Sequence, residues 1–164
     1  MDFIEYANNW AKSEVTQGHI MIGLGVLILA ALVGIIRSEV EFLKGATIPI
    51  ALMLVILIGY GGYILFSRPA HAKESIALFQ KSEKEAIEQE IVKHTNDNKA
   101  GKTLMKIYPI LAIVSLALLM FLSSPYYKGM AVGFGFLFLM AYVVDNGFVS
   151  RSDAFLEYLN EWKA

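Results

Sequence analysis

Charged residues are absent from four long windows of this chain. Val15 to Ile36, Gly45 to Ser67, Ile107 to Tyr127 and Gly129 to Val144 contain no Asp, Glu, Lys or Arg. A hydrocarbon core of ~30 Å takes about 20 helical residues at 1.5 Å each, and every window reaches or approaches that length. The alternative is a soluble bundle, but its helices would carry a polar face. GVLILAALVGII (Gly25 to Ile36) and ALMLVILIGYGGYILF (Ala51 to Phe66) have none. The pattern predicts an all-α fold: an integral membrane four-helix bundle with amphipathic cytoplasmic helices. Its spans fall at about 17–36, 45–66, 105–122 and 125–144 of one membrane domain, 1–164.

Between the spans the pattern changes. Residues 70–98 alternate charges with apolar positions at helical spacing, as at Ile87 and Ile91, which predicts a helical loop. Ser82-Glu83-Lys84-Glu85 has the spacing of a capping box, and Asn96-Asp97-Asn98 is expected to close the segment. Ser124-Pro125 reads as the start of the fourth span and Asp145-Asn146-Gly147 as its stop. Pro109 is expected to kink the third span or mark its beginning. Residues 1–14 and 151–164 place Phe3, Tyr6 and Trp10, and Phe155, Tyr158 and Trp162, on single helical faces. They are expected as interfacial amphipathic tails.

Charge sets the expected orientation. Eleven basic residues lie in the two tails and the 70–98 region with its flanks, against Arg37, Lys44 and Lys128 on the other side. The positive-inside rule then puts both termini in the cytoplasm, for a multi-pass protein of the plasma (inner) membrane. The first window exceeds a signal-peptide core and no basic stretch precedes it, so it reads as a retained span. A formal net charge of −1 argues against nucleic acid as a partner, since phosphate binding needs clustered Lys and Arg. Without cysteine, disulfides, thiolate metal sites and a Cys nucleophile are excluded.

Candidate chemistry is sparse. Gly129 and Gly133 form a GxxxG pair, and Gly59, Gly61 and Gly62 crowd the second span; of these, Gly59, Gly62, Gly129 and Gly133 are expected as positions of close helix packing inside the bundle or between copies. His19 and Asp145 sit at the cytoplasmic ends of spans one and four and are candidates for a polar latch, with Tyr60 and Tyr63 lining a path. Ile58-Gly59-Tyr60-Gly61 has the look of a potassium filter but lies within a full span rather than in a re-entrant loop. His71 and His94 stand in the loop without HxxxH or HExxH spacing, so no metal, catalytic or cofactor site is expected, and no cofactor. Small multidrug exporters and fluoride channels also have four short spans, but this first span lacks a carboxylate in its body and the charge bias here is strong. The expected function is a non-enzymatic assembly or accessory subunit, partnered by the lipid bilayer and by its own copies or another membrane protein. The alternative is a small channel or transporter for an ion or small solute, and the third a membrane-embedded enzyme.

Overall fold

The computed structural model describes residues 2 to 163. Helix α1 spans Phe3–Ile36, α2 Glu41–Val55 and α3 Gly61–Lys81, with a π-helical turn at Ile56–Tyr60 joining the last two. Helix α4 spans Glu83–Ala117 and ends in a 3-10 turn, Leu118–Met120; α5 spans Pro125–Lys163. The four rods α1, α2–α3, α4 and α5 are each long and apolar enough to cross a membrane. Their apolar side chains point outward: Leu27, Val55, Ile113 and Val143 are 68%, 68%, 67% and 64% exposed. Apolar surface on that scale suits lipid, whereas soluble monomers rarely expose large contiguous patches.

Each rod runs past its apolar window into a second layer at the end that bears both termini, here called the headpiece. In the apolar half, Met21, Met53, Leu57, Leu137 and Val144 form the core. In the headpiece, Phe3, Ala7, Trp10 and Ala11 of α1 pack with Ala72, Ile87, Phe155 and Leu159. Phe3 stacks on Phe79 with ring centroids 4.3 Å apart, and Tyr6 on Tyr158 at 4.1 Å. The terminal segments are therefore the ends of α1 and α5, and their aromatic faces are buried against each other. With two further helices within reach, those faces remove more area from water by mutual packing than by lying flat.

Several expected boundaries move. Helix α4 does not close at Asn96-Asp97-Asn98 but continues to Ala117, through Pro109. Helix α5 does start at Pro125, yet it passes Asp145-Asn146-Gly147 and runs to Lys163. Gly147 serves packing there: a side chain on it would strike the amide of Gln17. That amide donates from Nε2 to the Val144 carbonyl at 2.8 Å, fastening α1 to α5. Ser82 is the turn between α3 and α4, with φ −153° and ψ 96°, but its side chain makes no capping hydrogen bond. The two helices form an antiparallel hairpin about it.

The glycines divide. A Cβ on Gly129 would fall on the Phe42 carbonyl, and one on Gly45 on the Tyr126 carbonyl, so α2 and α5 touch backbone to backbone. Gly133 likewise accommodates Pro49. Gly59 and Gly62, expected as packing positions, face open space within the chain; the glycine that packs is Gly61, against Gly18 of α1. The π turn carries one more residue per hydrogen-bonded ring than an α turn, so an α-helical wheel drawn through this stretch misassigns its faces.

Candidate functional site

Four helices each contribute to a polar cluster in the headpiece. His71 comes from α3, Glu90 and His94 from successive turns of α4, Ser152 from α5, and Trp10 of α1 covers them. His71 Nε2 lies 2.9 Å from Oε1 and 3.0 Å from Oε2 of Glu90. His94 Nε2 lies 3.3 Å from Oε2 of Glu90, while His94 Nδ1 is 2.6 Å from Ser152 Oγ. One ligand atom from each of His71, Glu90 and His94 falls within 4.8 Å of the others. Glu90 and His94 are buried, at 4% and 1% exposure, and His71 is the partly open member.

The electrostatics favour a charged Glu90 carboxylate. Burial opposes ionisation of Glu90, but the hydrogen bond from His71 and the nearness of His94 outweigh it and hold its carboxyl far below the usual range. Burial pushes His94 down toward its neutral form, against the opposing pull of Glu90. His94 Nε2 is buried and, despite its nearness to Glu90, has no hydrogen-bond partner of acceptable geometry. Trp10 stands edge-on to both histidines, with ring centroids 5.8 Å from His71 and 5.0 Å from His94.

A second cluster lies one turn further along α1. Glu14, 1% exposed, accepts from Arg151 Nε at 2.7 Å and pairs with Arg68 Nε at 3.3 Å. Arg151 also donates to Gln17. Burial pushes the Glu14 carboxyl up, against the downward pull of Arg151 and Arg68. The Arg68 contact is poorly aligned, so its Nε–H lacks an acceptor, as does the buried Nε1–H of Trp10. Arg68 and Lys93 lie over the Trp10 ring at 5.4 Å and 5.7 Å.

Between the two layers lies a cavity of about 420 Å³. Trp10, Arg68, Lys93 and His94 line its headpiece end; Tyr60, Tyr63, Leu104 and Asp145 line the end toward the apolar half. Tyr60 and Tyr63 stack at 6.2 Å, and Tyr60 meets Phe148 edge to face at 5.5 Å. On the outer side of the hairpin a separate groove, lined by Glu85, Glu88 and Glu90 with His71, Gln89 and Lys93, leads to the histidine cluster.

Of the residues suggested for a latch or path, Tyr60, Tyr63 and Asp145 share the cavity, and His19 is not among its lining residues. His19 is exposed. Tyr108, rather than His19, is the polar side chain that acts on Asp145. Sequence reasoning set aside His71 and His94 as scattered and did not weigh Glu90, Arg68 or Arg151. One signal was present: Glu90 and His94 are four apart on a helix and share a face. Folding the chain about Ser82 brings His71, eleven residues before the turn, level with residues eight to twelve after it.

No protein-family model, no curated protein and no solved structure matches the chain. Its function has therefore to be argued from the geometry.

Proposed function

We propose that this is a four-span integral membrane protein, with both termini and the headpiece in the cytoplasm, that binds a divalent transition-metal ion through His71, Glu90 and His94. The apolar girdle supports the membrane assignment. The excess of Lys and Arg at the headpiece end supports the orientation. The observation that carries metal binding is the convergence of the three ligand atoms with His94 already oriented by Ser152. Donors 2.0–2.1 Å from a tetrahedral ion lie about 3.4 Å from one another. From Glu90 Oε2, His71 Nε2 and His94 Nε2 lie at 3.0 Å and 3.3 Å, close to that value, and all three ligand atoms fall within 4.8 Å of one another.

The donor chemistry narrows the ion. Two imidazoles and one carboxylate suit zinc and its first-row neighbours, whereas magnesium and calcium take oxygen ligands. Ligands must be deprotonated to bind, and the carboxylate is already held in that form. Ser152 accepts from His94 Nδ1–H, which leaves the Nε2 lone pair facing the other two donors, a common outer-shell arrangement around metal-ligating histidine. Three protein ligands leave a coordination position for water or for an exchanging ligand, as in open rather than sealed zinc sites. The acidic groove beside His71 gives a cation its approach from solvent.

The test is zinc stoichiometry by mass spectrometry on protein purified in mild detergent, stripped with EDTA, reloaded and desalted. One ion per chain is expected. His71→Ala, at the partly exposed position, and His94→Gln are each expected to weaken binding by at least about tenfold. No zinc retained by the wild type, or equal retention by both variants, would defeat the proposal.

A further inference from the structure

We propose that the cavity between Trp10 and Asp145 binds a small zwitterion, with a phosphate or similar oxyanion at Lys93, Arg68 and Trp10 and an ammonium group at Asp145. The two ends of the cavity carry opposite unmet needs. At the headpiece end, the buried N–H groups of Trp10 and Arg68 have no acceptor. The Lys93 ammonium beside them has no carboxylate within ion-pair distance among the described residues. Donors buried without acceptors are costly and rare in native proteins, and two of them, Trp10 Nε1–H and Arg68 Nε–H, beside the partly buried Lys93 ammonium call for a ligand rich in acceptor oxygens. Two carboxylates also line this end: Glu14 is committed to Arg68 and Arg151, and Asp97 makes no ion pair with Lys93.

The opposite end has the reverse character. Asp145 lines the wall beside Tyr60 and Tyr63. Tyr108 is its polar neighbour, and no cation pairs with it among the described residues. A carboxylate flanked by aromatic rings is a suitable seat for an ammonium group, through charge and through the ring faces. Seven residues separate Asp145 from Ser152, about 10 Å along α5. A phosphate and an ammonium joined by a two-carbon link are short enough to lie within that length. The volume of about 420 Å³ lies within the usual range for small-molecule pockets.

This chemistry has two sources, a free aminophosphate and the headgroup of an aminophospholipid. The cavity lies where the second and fourth apolar windows end, at headgroup depth if the membrane reading holds, and Tyr63 at its edge is 61% exposed. Zwitterion binding itself does not depend on the metal site, and EDTA in every buffer keeps the two separate.

The test uses the full chain carrying Trp162→Phe, so that Trp10 is the only indole. In detergent free of phospholipid, O-phosphoethanolamine is titrated by calorimetry and by Trp10 emission. In a second arm the protein is placed in phosphatidylcholine nanodiscs with increasing phosphatidylethanolamine. Saturable binding in the first arm supports the proposal with a free ligand, and a saturable response confined to the second supports it with the lipid. Lys93→Gln and the isosteric Asp145→Asn are each expected to weaken binding by about tenfold or more. Silence in both arms would overturn the proposal. So would inorganic phosphate binding as tightly as the zwitterion, or Asp145→Asn without effect in a folded protein.

Discussion

Replacing Gly129 with alanine adds one methyl group at the point where α2 and α5 are closest. That methyl would land on the carbonyl of Phe42, a backbone atom that cannot rotate aside. A carbon and a carbonyl oxygen do not approach much nearer than about 3.3 Å, so the helices must part by on the order of 1 Å along this seam. Gaps of that size forfeit a quarter to a half of each dispersion contact they open, and overpacking of this kind costs about 1–3 kcal/mol. Against it stands a gain of up to about 1 kcal/mol from replacing glycine with alanine inside a helix. The net expectation is a loss of about 1–2 kcal/mol. Gly62→Ala, on a face with nothing within 4 Å, keeps the gain without the clash. Unfolding titrations in mixed micelles should therefore place Gly62→Ala above Gly129→Ala by about 2–3 kcal/mol. Equal stabilities, or Gly129→Ala as the more stable of the pair, would refute the backbone contact.

Three other outcomes are expected. Glu14→Ala leaves Arg68 and Arg151 facing each other across an emptied site and should cost about 3–5 kcal/mol, read by the same titration. Ser152→Ala should leave the fold intact while weakening zinc binding by about 10–100-fold, because His94 loses the partner that orients its ring; competition against a chelating dye reads this. Since the chain has no cysteine, single cysteines report topology cleanly. A membrane-impermeant maleimide on intact cells should label Glu39→Cys and spare Glu157→Cys.

The four long apolar helices were readable because charge in a bilayer core is so costly that its absence marks a candidate span almost alone. Their extent was not. Gly147 and Asn98 resemble stops by local preference, yet both sit inside helices. Gln17 closes over the first, and the side chain of the second donates to Asp153 across the headpiece at 2.7 Å. Tertiary partners offset a modest propensity cost in each case. The tails announced their apolar faces but not what those faces meet. The histidine cluster stayed hidden for a topological reason: its members come from either side of a turn whose position alone decides whether they face each other. The π turn left no trace in residue type, and with it went the distinction between Gly61, which packs, and Gly59 and Gly62, which do not.

Helices α1, α4 and α5 pass from the apolar half into the headpiece without a break, and a helix of 34 residues like α1 is about 50 Å long. Such rods are levers. If an ion drew His71, Glu90 and His94 together by one ångström, no loop between the headpiece and the apolar half of α1, α4 or α5 could take up the shift. It must appear as a tilt of the long helices, or be absorbed at the π turn, where the α2–α3 rod departs from regular α-helix inside its apolar window. Cargo held at one end of this molecule would thus be felt at the other, and Tyr60, at the end of that turn, stands on the fulcrum.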